Sequence, residues 1–368
     1  MLHRMNTDSK LDVLVTVPTG PSGQGGIDRI MATLAKAVTI EEHPGLTVRF
    51  SATRGAGHIV TSPFYLGRFL LLMIWLRLTR RLDLLHINLS SYGSTYRKLI
   101  IAGAARLMGV PYVLHLHGGN YPEFWAESGG LMSRAILSMF NHAARIVVLG
   151  SVWRGFVEQK APAAAGRIAT VPNAAPQPTL PARRGDLVHI LYLGRLSDLK
   201  GVPQLGEALA ALKDLPGWRA TLAGDGGVDE ARAAAKAYGI ADRVAIPGWV
   251  NSDTVADLIA SADILVLPSF IENLPVSIIE GMAAGLAVVA TPVGAVEDIV
   301  IDNETGLLVE TGNVAELSAA LRRLIGDSAL RQKLGNAAQT FHRTHLDVKP
   351  FADAMINTWK QARDVKTN

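Results

Sequence analysis

Cysteine is absent from the 368 residues, which excludes a disulfide framework, a thiolate metal site and a cysteine nucleophile. Charge of one sign is also scarce: 36 Lys and Arg against 32 Asp and Glu leave a net charge of +4. That is too slight to argue for nucleic acid, although it suits a surface that meets anionic partners. The stretch "FYLGRFLLLMIWLRLTRR" has no apolar run long enough to span a bilayer. Its uninterrupted part is Phe69 to Leu76, far short of the ~20 residues a spanning helix needs. Arg68, Arg77, Arg80 and Arg81 flank that run. Two readings stay open: a helix packed on the core with its arginines wet, or a helix lying on an anionic bilayer surface. The first residues, "MLHRMNTDSK", lack the apolar core of a secretory leader, so export is not expected. What is present is a globular composition, 49% hydrophobic and 18% charged, with length for two domains.

Strand-like and helix-like runs alternate throughout, which predicts parallel sheets covered by helices. In the first half the strands are "LDVLVTVP", "LTVRFSA", "DLLHINLS", "YVLHLH", "RIVVLG" and "IATVPN". Helices are expected around Ile27–Val38, Tyr65–Leu78, Tyr96–Met108 and Met132–Ala143. The proline-rich "AAPQPTLPARRGD", Ala174 to Asp186, reads as a linker. The pattern then restarts with "LVHILYLG", "WRATLAG", "RVAIPG", "DILVLP", "LAVVAT" and "GLLVE". The expected architecture is α/β: two doubly wound Rossmann-like domains, 1–176 and 187–348, facing an interdomain cleft. A C-terminal helix, 349–368, is expected to pack back on the first domain.

Five stretches carry candidate chemistry. "PTGPSGQGGIDRI" follows the first strand, and its glycines allow close approach of a bound group to a helix N-terminus. Its spacing is not the GxGxxG of dinucleotide enzymes, and no acidic residue follows the second strand to hold a ribose. A purely structural turn is the alternative. In "VLHLHGGN", His115 and His117 share a strand face. His117, at the strand end, is the ligand contact, and His115 belongs to the core; a metal would need a third ligand, and none is evident. "LYLGRLSDLKGV" places Arg195 and Lys200 in one loop at the ligand-facing strand edge, a site for a diphosphate. "LAGDGG" ends a strand in small residues, including Gly224, that permit close approach. In "FIENLPVSIIEGMAAGLAVV", Glu272 and Glu280 are embedded in an apolar tract, where unpaired carboxylates are costly. Pro275 suits the first helical turn there, with the N–H groups near Asn273 and Leu274 facing the ligand.

Together these pieces resemble the retaining glycosyltransferases of family 4, which have the GT-B fold. The resemblance covers nearly the whole chain and is strongest from Leu191 to Val309. "FIENLPVSIIEGMAAGLAVVAT" looks like that family's E-x7-E signature and "YLGRLSDLKGV" like its Arg/Lys loop. "VGAVEDIVIDNETGLLV" resembles the usual continuation and "ATVPNA" the segment at the domain junction, although Ala174 stands where the family often has Gly after Asn173. The resemblance implies that Arg195 and Lys200 neutralise a donor diphosphate in place of a metal, in keeping with the lack of a D-x-D motif. It implies that Glu280 holds ribose hydroxyls, that Glu272 and His117 contact the transferred sugar, and that the Asn273–Leu274 backbone meets phosphate or sugar oxygens. Gly25 and Gly26 would leave space beside the phosphates. No cofactor is implied beyond a nucleoside-diphosphate sugar as co-substrate.

The acceptor is expected on the first domain, at "NLSSYGSTYRK". There Asn88, Ser90, Ser91 and Tyr92 lie at a strand end, and Arg97 and Lys98 would meet a glycan or lipid-diphosphate-linked acceptor. An exopolysaccharide or lipopolysaccharide role, in the cytoplasm or peripherally on the inner membrane face, follows by association. Retention is expected by a front-face route in which the departing phosphate takes the acceptor proton. Two rivals share this architecture: a UDP-sugar 2-epimerase, and a nucleotide-sugar binding protein without catalysis.

Overall fold

The computed structural model describes residues 10–20, 23, 25–40, 43–55, 59–179 and 186–365. The start of the polar leader stretch, Pro21, Ser22 and Gln24 of the glycine-rich loop, and 180–185 of the proline-rich stretch lie outside the described residues. The chain divides into two compact units, Met1–Pro172 with Val348–Asn368, and Asn173–Asp347.

The first unit has six parallel strands: β1 (Leu11–Val17), β2 (Leu46–Ala52), β3 (Leu84–Leu89), β4 (Tyr112–Leu116), β5 (Arg145–Val148) and β6 (Ile168–Thr170). Their order across the sheet is β2-β1-β3-β4-β5-β6. Every residue of β1 is buried, as in a strand covered by helices on both faces. The edge strand β2 is half-buried along its length. The connecting helices are α1 (Gly26–Ile40), α2 (Ser62–Leu78), α3 (Gly93–Leu107), α4 (Tyr121–Glu127), α5 (Gly130–Asn141) and α6 (Ser151–Lys160).

The second unit repeats the plan with β7 (Val188–Leu193), β8 (Trp218–Ala223), β9 (Val244–Gly248), β10 (Ile264–Leu267), β11 (Ala287–Ala290) and β12 (Leu307–Leu308). The order here is β12-β11-β10-β7-β8-β9. Pro247 is tolerated because β9 lies at the sheet edge, where one N–H row needs no partner. Helices α7 (Val202–Ala210), α8 (Val228–Ala237), α9 (Ser252–Ser261), α10 (Val276–Ala283), α11 (Val314–Gly326) and α12 (Ser328–His345) complete this unit. The last helix, α13 (Val348–Arg363), packs against α1, β3, β4 and β5 of the first unit and buries Phe351, Met355 and Trp359.

Each sheet reverses its winding once, between β1 and β3 in the first unit and between β7 and β10 in the second. At such a switch point the loops leaving two adjacent strands diverge to opposite faces and open a crevice at the strands' carboxyl ends.

The described part of the proline-rich stretch does not begin as a free linker. Ala174 and Ala175 are buried. The Ala175 N–H donates to Leu346 O at 3.2 Å, and Ala175 O lies 2.9 Å from His342 Nε2. Backbone groups this well satisfied belong to a packed unit.

Helix α2 divides the two readings of its apolar run. Phe69, Met73 and Leu76 follow helical spacing and are fully buried, whereas Phe64, Leu71, Ile74, Trp75 and Leu78 are exposed. One stripe is therefore core-packed, and the rest of the helix is apolar and wet. Among the described residues no helix is long and apolar enough to cross a membrane.

Candidate active site

In the second unit, β7 ends at Gly194 and the chain turns. Tyr192 is fully buried, and its hydroxyl donates to Arg195 O at 2.8 Å. Burial, and then the Glu272 carboxylate, push the Tyr192 phenol above its ordinary range, so it stays protonated as a donor. The Arg195 guanidinium lies 3.4 Å from Asp225 Oδ2, and both side chains are largely exposed. Exposed pairs of this kind are worth little, so Arg195 can exchange Asp225 for another anion at small cost.

Lys200 closes a short turn, and Gly201 follows with φ +68°. A Cβ on Gly201 would sit 2.0 Å from Pro268 O, so glycine is what lets this loop lie against the end of β10. The closeness has a chemical result: Lys200 Nζ donates to Glu272 Oε1 at 2.5 Å. The Ser269 hydroxyl donates to the same oxygen at 2.8 Å, and Thr291 Oγ1 donates to Ser269 O at 2.5 Å. The side chains of Lys200 and Glu272 are only 27% and 11% exposed.

The backbone after Glu272 is turned by its neighbours. Ala295 N–H donates to Asn273 O at 2.8 Å, and Asn173 Nδ2 donates to Leu274 O at 2.8 Å. In a trans peptide the N–H points opposite to the carbonyl, so the Leu274 N–H faces away from Ala295. Glu272 O in turn lies against Gly294, where a Cβ would come within 2.4 Å. Glu280 lies half-buried on α10, one residue before the buried Gly281–Ala283 run.

A Cβ on Gly224 would lie 1.7 Å from Gly194 O, so glycine there is what admits the neighbouring loop backbone. Asp225 and Ser269 are not among the expected site residues, although Asp225 lies inside "LAGDGG" and Ser269 directly follows "DILVLP".

In the first unit, the glycine-rich loop is tied by Asp28 in the first turn of α1. Asp28 Oδ1 accepts from the N–H groups of Thr19 at 3.1 Å and Gly20 at 3.2 Å. Its Oδ2 accepts from Thr19 Oγ1 at 2.5 Å. Gly25 and Gly26 are exposed beside it, and a Cβ on Gly26 would meet nothing within 4 Å. Space therefore exists at the start of α1.

His117 sits just past β4, stacked at 3.9 Å on the fully buried His115. Its Nε2 lies 2.7 Å from Asn88 Oδ1. Burial, and then His86, lower the His117 pKa to about 3, so the ring is neutral at physiological pH. The expectation that Asn88 meets an acceptor does not survive its placement. Asn88 is buried in β3, its Nδ2 donates to Thr16 O at 2.7 Å, and its Oδ1 serves His117.

Lys98 is likewise corrected. It falls on the sheet-facing stripe of α3 with Thr95, Ile101 and Ala105, and is 2% exposed. Its Nζ donates to Thr53 Oγ1 at 2.7 Å. Burial, then Arg97, lower its pKa well below the ordinary lysine value, against an upward pull from Asp28. Ser91 Oγ donates to Asn120 Oδ1 at 2.9 Å. Tyr92 is exposed, packs edge-on to Phe124, and has φ +55°, a backbone region L-residues rarely adopt. Arg97 is half-buried, and its Nε has no hydrogen-bond partner among the described residues. Tyr92 and Arg97 thus keep surface in reach of solvent, whereas Asn88 and Lys98 are enclosed. Among the described residues no group of three or more His, Asp or Glu side chains is arranged to hold a metal ion.

Comparison with known proteins follows the division into units. Residues 181–341 match the family described as Glycosyl transferases group 1, and residues 8–174 match a Glycosyl transferase 4-like domain. The chain is similar to an alpha-D-kanosaminyltransferase from Streptomyces kanamyceticus, 26% identical over 281 residues, covering 70% of this chain and 72% of that protein. The match spans only 23% of the length of one other relative, a much longer exopolysaccharide phosphotransferase from Streptomyces coelicolor, and 45% of the length of another. Among solved structures, a sucrose-phosphate synthase from Thermosynechococcus elongatus superposes with a TM-score of 0.79 at 20% identity, over 96% of this chain and 99% of that one. HepE from Anabaena, solved with UDP and glucose, superposes with a TM-score of 0.74 at 20% identity, over 95% and 99%. The fold they share with this chain is GT-B.

Proposed function

Because the chain belongs to the group 1 glycosyltransferases, we propose that it moves a hexose-type sugar, with retention and without a metal, from a nucleoside-diphosphate sugar to a glycan or lipid-linked acceptor. The observation that carries this reading is the meeting of Lys200 with Glu272 at the switch point of the second sheet, with Arg195 in the same loop. A diphosphate leaving group gains negative charge as the glycosidic bond breaks. Two cations in one loop stabilise that growth more than they stabilise the ground state, which is the form of catalysis expected to dominate here.

Glu272 is a positioning group in this mechanism. A carboxylate whose Oε1 is already held by an ammonium and a hydroxyl is a poor nucleophile, which favours the front-face route in which the departing phosphate accepts the acceptor's proton. Glu280 takes the ribose hydroxyls, and the Leu274 N–H, Gly25 and Gly26 accommodate oxygens of the donor. His117, neutral, contacts the transferred sugar, and Tyr92, Ser91 and Arg97 form the acceptor side. Support for the donor class comes from HepE, whose structure holds UDP and glucose.

The exposed apolar face of α2, with Arg68, Arg77, Arg80 and Arg81 exposed around it, supports peripheral contact with an anionic membrane at which a lipid-linked acceptor is presented. An exopolysaccharide or lipopolysaccharide role fits such an acceptor.

The test is a donor screen by thermal shift across UDP-, GDP- and ADP-sugars in the presence of a chelator, followed by product analysis. One donor class should raise Tm without added magnesium, and the product should keep the donor's anomeric configuration. Strict dependence on a divalent cation, or a glycosyl adduct trapped on Glu272, would overturn the mechanism. Turnover of donor without any acceptor would overturn the transferase reading in favour of epimerisation.

A further inference from the structure

The first unit gathers exposed aromatic rings and unpaired cations around the start of α3. Tyr92 and Tyr96 stand there, just past the carboxyl end of β3, and are 53% and 50% exposed. Both pack edge-on against the buried Phe124 of α4, with ring centroids 5.1 Å and 6.4 Å from it. A single exposed aromatic residue needs no explanation. Tyr92, however, also has φ +55° and ψ −128°, a conformation that turns ordinarily give to glycine. Strain of this kind persists only where the surrounding structure fixes it, and it gathers at ligand sites.

The charge beside these rings is uncompensated. Arg97 folds back over the first turn of α3, with its Nη1 3.4 Å from where a Cβ on Gly93 would be. Its Nε is buried without a hydrogen-bond partner, and no ion pair joins its guanidinium to a carboxylate among the described residues. Burial, and then the Arg54 guanidinium, pull the Arg97 pKa below its ordinary value, so a second cation stands close by, in the turn after β2. Asp28, the acidic group that acts on the neighbouring Lys98, is already engaged by Thr19 and Gly20. A partly buried cation is costly unless an anion meets it. Two guanidinium groups at the carboxyl ends of neighbouring strands also concentrate positive potential there.

We propose that Tyr92, Tyr96 and Arg97 form a subsite for an acidic sugar residue, the rings taking a C–H face of the pyranose and the guanidinium its carboxylate or phosphate. A pyranose presents several C–H groups on one face, and these rest on the electron-rich face of an aromatic ring. The planar fork of arginine matches the oxygens of either anion. A bare anion has no use for the two exposed rings, and a neutral sugar leaves the guanidinium unpaired. The pairing of rings with a cation selects a molecule that carries both features. That this sugar is the acceptor of the transfer rests on the function proposed above; the subsite does not.

The test is saturation-transfer difference NMR on the full chain with methyl β-glucuronide, glucose 6-phosphate and methyl β-glucoside, and with inorganic phosphate as competitor. At least one acidic sugar should bind about tenfold tighter than the neutral glucoside, and phosphate should displace it. The stronger of the two acidic sugars tells a carboxylate from a phosphate ester. Arg97→Gln should bring both down to the affinity of the glucoside. Tyr96→Ala, which suits a helix, should weaken the preferred acidic sugar about fivefold and leave its advantage over the glucoside in place. Tyr92→Gly, which suits the backbone at that position, should do the same. Equal affinity for charged and neutral sugars in the wild type would overturn the subsite, as would a preference that survives in folded Arg97→Gln. So would wild-type affinity in both tyrosine variants, or displacement-free binding of phosphate with no binding of sugar. Nucleotide-sugar binding by the wild type separates the two readings: a chain that binds a donor yet gives one of those results loses the subsite and keeps the transferase reading.

Discussion

One substitution, glycine to alanine, should have opposite consequences at two glycine positions, and the structure assigns the sign of each. At Gly224 the new methyl would lie 1.7 Å from Gly194 O and 2.6 Å from the Gly194 carbonyl carbon, where unstrained carbon contacts sit near ~3.5 Å. Both contacted atoms are backbone. They cannot rotate aside, because Gly194 N–H is bonded to Ala223 O and Gly224 N–H to Gly248 O. Relief requires breaking the sheet end, so the cost should reach or exceed the ~3 kcal/mol upper range of ordinary overpacking. For a unit the size of Asn173–Asp347 that corresponds to a Tm lower by roughly 6–12 °C. At Gly26 the methyl meets nothing within 4 Å and sits at the start of α1, where exchanging glycine for alanine gains up to ~0.5–1 kcal/mol. Tm should hold or rise slightly there, while the methyl intrudes on the space assigned to the donor and weakens donor binding by about tenfold, ~1.4 kcal/mol. Scanning calorimetry of both variants and titration of the donor into Gly26→Ala measure these quantities. Gly224→Ala with wild-type Tm would refute the packing argument. Gly26→Ala with wild-type donor affinity would refute the role given to that space.

Other outcomes follow from the same geometry. Lys200→Met and Glu272→Gln, singly and combined, should show a coupling of about 1–3 kcal/mol in urea unfolding, because the pair is mostly shielded from water; strictly additive effects would contradict it. His86 and His117 titrate near 4 and 3 in the fold, lowered from 6.5 chiefly by burial. The unfolded chain therefore binds more protons across that window, and stability is complete above about pH 6.5 and is lost as pH falls through 4 toward 3. Each ring adds a slope of up to about 1.4 kcal/mol per pH unit, so unfolding free energies that stay level from pH 7 to pH 4.5 would exclude the neutral network. Leu71→Glu with Trp75→Glu should abolish co-sedimentation with anionic phospholipid vesicles and leave Tm within about 2 °C, since both side chains are exposed; binding that persists in the double variant would place the contact elsewhere.

The elements were legible because parallel strands under two helical layers write themselves as unbroken apolar runs, as in "LDVLVTV" and "DILVLP", and because glycine and proline punctuate the turns. The Arg195–Lys200 loop and the Glu272–Glu280 spacing were legible for a related reason: each lies within one strand-to-helix turn, so nearness in sequence implies a common sheet edge. Periodicity tells which face a residue takes and says nothing about which strand lies beside which. Strand order was decided by the fold, and it is β7 lying beside β10 that joins Lys200 to Glu272 across 72 positions. The same limit explains Asn88 and Lys98, which look like free polar groups in a polar stretch and are turned inward by Thr16 and Thr53 on neighbouring strand ends. It applies most strongly to Trp359, on the C-terminal helix. The return of that helix to the first domain was expected, but its indole reaches His86 across 273 positions because α13 packs against β3, β4 and β5, and no local pattern says which strand residue it meets.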